Sequence, residues 1–157
     1  VDAVTVPVIA AGGIADARGI AAAFALGAAA AQIGTAYLYT PEARIAAPHR
    51  EALRSERAGE TALTNVFTGR PARGIVNRIM REAGPLTDDA PAFPLAGGAL
   101  APLRAASEKA GSDGFMSLWA GQAARLSREM GAAELTRTLA AEAMARLAGL
   151  AGARRDG

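Results

Sequence analysis

The sequence predicts an α/β fold organised around a parallel strand–helix–strand crossover near its start, and three observations in residues 6–38 predict it. Two apolar runs, 6–11 and 31–38, lack the alternation of a half-solvated strand and read as parallel strands covered on both faces. An alanine-rich stretch between them opens at Asp16, a good N-cap, and closes at Gly27, where a left-handed residue belongs. Each apolar segment carries a glycine turn, Gly12-Gly13 after the first and Gly34-Thr35 within the second.

The elements follow in order. Residues 6–11 are the first strand, 17–26 a helix and 31–38 the second strand, so the unit is a right-handed βαβ crossover. Two parallel strands with one helix cannot bury both faces of a sheet, and the chain is expected to begin in the middle of a domain. After Pro41 the texture changes: 48–58 reads as a helix with charges on one face, 61–68 as a short strand and 73–83 as a helix. Residues 84–102 hold Pro85, Pro91, Pro94, Gly97, Gly98 and Pro102 and read as a surface loop. A helix over 103–110, a turn over 111–114, and helices over 120–130 and 133–150 complete the chain, with no internal repeat.

Bulk composition narrows the function classes. The 157 residues suit about one domain. The absence of cysteine excludes disulfides, thiolate chemistry and Cys-based metal sites, and fits a reducing compartment; the cytoplasm is the expected one. No signal-peptide pattern is visible. Net charge is only +2, and of the 17 basic residues Lys109 alone is lysine, which with so much alanine points to coding bias rather than a selected basic surface. Aromatics make up 4% of the chain, too few and too scattered for stacking on single strands, so no nucleic-acid partner is expected. Residues 19–38 are largely Ala and Gly with Gln32 and Thr35 among them, so no membrane span is expected.

The glycines carry the chemistry. After a strand, a glycine lets backbone N–H groups approach an anion with no Cβ in the way, and the helix opened by Asp16 adds a positive end nearby. In (β/α)8 barrels the loops after strands 7 and 8 often hold a phosphate, and two glycine turns in one βαβ unit are consistent with that site.

At these residues the chain resembles the nitronate monooxygenases, formerly 2-nitropropane dioxygenases. PVIAAGGIADARGIAAAFALGAAAAQIGTAYL resembles the family's flavin-phosphate segment, TALTNVFTGRPARGIVN (61–77) its TGRPARG-type stretch, and GFMSLWAGQ (114–122) its WAGQ segment. The resemblance covers nearly the whole chain. It implies the C-terminal part of an FMN-dependent (β/α)8 TIM barrel, with its last two strands and closing helices, and an inserted, mainly helical domain. The implied division is 1–39 for strands 7 and 8 with the FMN phosphate site, 40–102 for the inserted domain and 103–157 for the closing helices.

The resemblance further implies oxidation of alkyl nitronates, propionate 3-nitronate among them, by O2. Gly13 would contact the FMN phosphate and Gly12 shape its turn, with Gln32, Ile33, Gly34 and Thr35 as the second contact segment. Gln32 could instead fill a core layer. Trp119 and Gln122, at a Gly-flanked helix start, either face the flavin or substrate or anchor the C-terminal helices. Arg70 and Arg73 either attract the anionic nitronate or, the preferred reading, make ion pairs or cap carbonyls. No metal site is expected, and the family reading leaves room for a homodimer of the full-length protein.

The family's catalytic histidine lies upstream of the Gly-Gly strand. The one histidine here, His49, follows Pro48 at the start of a charged helix and is expected to be exposed, so no catalytic residue is assigned. Two other readings stand beside this one: an FMN-dependent enoyl-acyl-carrier-protein reductase-like barrel, and a non-catalytic binding module.

Overall fold

A computed structural model describes residues 1–152, which form two compact units. One comprises Val1–Ala43 together with the segment from Leu126 onward; the other is Arg44–Arg125. Residue 102, taken above as a domain limit, lies inside a helix of the second unit.

In the first unit, β1 (Ile9–Ala11) and β2 (Ala30–Gln32) pair in parallel, with Ile9 opposite Ala30 and Ala11 opposite Gln32. The crossover helix α1 (Ala17–Ala25) starts and stops where the sequence says. Asp16 adopts extended geometry and its Oδ1 accepts from the amides of Arg18 (2.9 Å) and Gly19 (3.2 Å), while Gly27 takes φ +92° past the helix end.

The expected second strand is cut short. Residues 35–38 form a single helical turn, α2 (Thr35–Leu38), capped by Gly34 and closed by the Thr40 hydroxyl donating to the Tyr37 carbonyl at 2.9 Å. An unbroken apolar run has no period, so it cannot tell strand from turn.

Helix α6 (Ala132–Gly152) packs against α1. Its buried residues Leu135, Leu139 and Ala143 recur every four positions, one stripe of a helix. Each buried leucine is worth roughly 1.5–3 kcal/mol relative to exposure. The helix start is capped from a distance: the Glu42 carboxylate accepts from the Ala132 amide at 3.0 and 3.1 Å. Thr136 spends its proton on the Ala132 carbonyl (2.8 Å), so the Tyr37 phenol is the donor in their 2.8 Å contact.

The second unit is built on an antiparallel pair, β3 (Thr61–Thr64) and β4 (Ala72–Ile75), with Thr61 opposite Ile75 and Thr64 opposite Ala72. Here the expectation of a helix over 73–83 is half wrong. Cross-strand pairing overrides helix propensity in 72–75, and only α4 (Arg78–Glu82) is helical.

The segment around Trp119 also departs from its expected helix start. It runs extended along the far side of β4: Ile75 N–H donates to the Leu118 carbonyl (2.8 Å) and Ala120 N–H to the Arg73 carbonyl (3.2 Å). Of the helix expected over 120–130 only a 3-10 turn, Ala124–Leu126, remains. Helix α3 (Ala47–Arg54) ends earlier than expected and passes into a 3-10 turn over Glu56–Gly59. The 84–102 loop gives way at Ala96 to α5 (Ala96–Lys109), which accommodates Gly97, Gly98 and even Pro102. Those breakers made the sequence read as loop.

The core of this unit gathers Val66, Phe67, Ile79 and Met80, with Leu100, Phe115 and Trp119 packed against them. The two glycines of the TGRPARG stretch have packing reasons. Gly69 has φ +81°, and a Cβ there would collide with the backbone of Pro91, Ala92 and Phe93. At Gly74 a Cβ would come within 3.0 Å of the Leu118 carbonyl.

Candidate phosphate-binding site

A parallel βαβ unit sends both strand ends out at one edge of the sheet. The pairing of Ala11 with Gln32 therefore brings Gly12-Gly13 and Ile33-Gly34-Thr35 out side by side, on strands about 4.8 Å apart. Gly12 and Gly13 take φ +90° and +70°, the left-handed region that a side chain strains. Gly34 has an ordinary φ of −106°. A Cβ added at Gly12, Gly13 or Gly34 would meet no heavy atom within 4 Å. The space over all three glycines is open, as a bound phosphate requires. Gln32 is exposed at the end of β2 and Ile33 half-buried beside it.

The start of α1 adds less than its dipole alone suggests. Asp16 already occupies the Arg18 and Gly19 amides, and Ile20 N–H donates to the Asp16 carbonyl at 3.2 Å. Its carboxylate is paired with Arg18, whose Nη2 lies 2.6 Å and Nε 2.8 Å away. The hydrogen bond to the Arg18 side chain holds the Asp16 carboxyl below its usual range, so it stays ionised and locally neutralised.

The other singled-out residues lie in the second unit. His49 corrects its expectation of exposure: it is 7% exposed and bonded through Nε2 to the Trp119 carbonyl at 3.1 Å. Burial pushes its pKa below the ordinary value. Sequence reasoning missed this role, because a histidine after Pro48 carries no signal of what lies 70 positions on. Arg73 caps the Thr61 carbonyl at 3.1 Å, the carbonyl-capping alternative raised above. Arg70 is exposed, its guanidinium 4.3 Å from the centre of the Phe93 ring. Trp119 meets Phe67 edge to face at 5.5 Å, while Gln122 is exposed. Among the described residues no cluster of His, Asp or Glu is arranged to hold a metal ion, and no helix is long and apolar enough to cross a membrane.

Comparison with known proteins bears on this geometry. The nitronate monooxygenase family profile matches residues 1–142. A nitronate monooxygenase of Pseudomonas aeruginosa is 48% identical over 139 residues, 88% of this chain and 40% of that protein. One from Paraburkholderia phytofirmans is 45% identical over 137 residues, 87% of this chain and 37% of that protein. Among solved structures, nitroalkane oxidase from Streptomyces ansochromogenes superposes with a TM-score of 0.86 at 48% identity, over 95% of this chain and 42% of that one. FabK from Thermotoga maritima follows with a TM-score of 0.72 at 30% identity, over 96% and 48%. The chain thus spans about 40% of the length of the curated relatives it matches. Its α/β architecture, its glycine turns and the match over residues 1–142 lead to one assignment: the chain belongs to the nitronate monooxygenase family.

Proposed function

We propose that this chain is the phosphate-holding part of an FMN-dependent barrel enzyme that oxidises alkyl nitronates, such as propionate 3-nitronate, with O2. One observation carries the reading: two glycine turns leave the same edge of two paired parallel strands, with open space above each glycine. Residues 9–11 and 30–32 stand as strands 7 and 8 of a (β/α)8 barrel, Arg44–Arg125 as the inserted domain and α6 as a closing helix.

Gly13 N–H, with Gly12 shaping its turn, would hold the phosphate from one strand end. The Gly34 and Thr35 amides and the Thr35 hydroxyl would hold it from the other, with Gln32 and Ile33 flanking. When bound, the flavin supplies the redox chemistry, accepting electrons from the substrate and passing them to O2. This chain's residues anchor it by the phosphate and fix its orientation. The family resemblance implies a catalytic histidine upstream of the Gly-Gly strand, and His49, bonded through Nε2 to the Trp119 carbonyl, is not assigned that role.

The test is anaerobic mixing of the FMN-loaded full-length protein with propionate 3-nitronate. Loss of the oxidised-flavin absorbance, restored by O2, is the expected result. The likeness to FabK favours a second reading, reduction of an enoyl thioester by NAD(P)H. Rapid bleaching by NADPH with no response to nitronate would replace the first reading with the second.

A further inference from the structure

Aromatic side chains are scarce in this chain, yet three of its four phenylalanines and its single tryptophan line one cavity in the Arg44–Arg125 unit. Phe67, Phe93, Phe115 and Trp119 come from four separate stretches of sequence to line a half-open cavity of about 260 Å³. Helix α5 supplies a further wall through Gly97, Leu100 and Arg104, spaced three and four apart and therefore on one face.

The charge on this cavity is of one sign. Arg104 is the only charged side chain among its lining residues. Arg70 sits over the Phe93 wall, and neither Arg70 nor Arg104 has an ion pair among the described residues. Arg78, over Phe115, is by contrast spent on Glu82 at 2.7 Å. Ser117 adds a hydroxyl to the lining, whereas the Thr68 hydroxyl is spent on the Arg70 backbone, donating to its carbonyl at 2.9 Å and accepting from its amide at 3.2 Å. An aromatic chamber with unspent guanidinium groups suits a ligand with an apolar body and a planar, two-oxygen anionic head, which a guanidinium grips in fork geometry. Benzene fills a cavity of about 150 Å³, so by proportion this one takes on the order of ten heavy atoms.

We propose that this cavity binds a small amphiphilic anion, a carboxylate or a nitronate, with its chain among the aromatic rings and its head on Arg104. The site stands on its own observations and does not depend on the flavin reading.

The test is calorimetric titration of the full-length protein with octanoate, beside octylammonium as the charge-reversed probe. Saturable octanoate binding, with none for octylammonium, is expected. The exposed-site variant Arg104→Gln is expected to weaken octanoate about tenfold. Leu100→Trp, which fills the chamber, is expected to abolish binding. Competitive inhibition of nitronate turnover by octanoate would make the natural occupant the substrate. Binding without effect on turnover would make it a separate carboxylate ligand. Absence of octanoate binding, equal binding of octylammonium, or indifference to both substitutions would overturn the proposal.

Discussion

His49 and Trp119, 70 positions apart in sequence, are joined by a 3.1 Å hydrogen bond from the imidazole Nε2 to the Trp119 carbonyl. A carbonyl only accepts, so Nε2 carries the proton, and the bond ties α3 to the extended segment beside β4. Burial is the main cause lowering the His49 pKa; the Trp119 bond opposes it and nearby Arg50 adds to it.

The sign of the resulting pH dependence follows. With the folded pKa depressed below the ordinary 6.5, the unfolded chain binds more protons as pH falls through 6.5 toward the folded value. The folded protein should therefore lose stability in that window, by at most about 1.4 kcal/mol per pH unit. In His49→Gln, whose amide can still donate to the carbonyl, the difference in melting temperature between pH 7.5 and pH 5.5 should shrink. An unchanged difference would show that His49 does not titrate there.

The Asp16 cap should be measurable in isolation. Asp16→Ala removes the acceptor of the Arg18 and Gly19 amides and should cost about 1 kcal/mol by denaturant unfolding. Asp16→Asn should cost less. Equal losses would shift the credit from the cap to the Arg18 pair.

Asn77 is a stronger case. It is 1% exposed and its amide nitrogen donates to the carbonyls of Asp113 (2.9 Å) and Met116 (2.8 Å). Asn77→Leu strands both carbonyls and should cost about 2–4 kcal/mol in unfolding experiments. Asn77→Asp should be at least as harmful, since it presents oxygens to carbonyl oxygens.

Gly69→Ala should destabilise by more than about 2 kcal/mol, combining a positive φ with collision against backbone that cannot move aside cheaply. A near-wild-type melting temperature for this variant would contradict the packing role assigned to the glycine.

Local rules were legible in the sequence wherever the cause was local. Asp16, α1 and Gly27 follow from capping chemistry, and the shared edge of the two glycine turns follows from a parallel crossover. Residues 35–38 were not legible, because an apolar run has no period to separate strand from turn. Residues 72–75 and 118–120 become extended only by pairing with each other and with β3 across long separations. His49 was misread for the same reason, since its partner lies in that distant segment. The aromatic cavity left no pattern at all, its walls being spread from Phe67 to Trp119.

The central claim is that the glycine edge holds the FMN phosphate, and Gly34 tests it most cleanly. Its φ is ordinary and an added Cβ meets no heavy atom within 4 Å, so Gly34→Ala should leave the melting temperature of the apo full-length protein nearly unchanged. The measurement is the affinity of that variant for FMN beside riboflavin, which lacks the phosphate. The account predicts that FMN binding falls about tenfold while riboflavin binding holds, because the added methyl would occupy phosphate space. Unchanged FMN affinity, or an equal loss for both flavins, would contradict it.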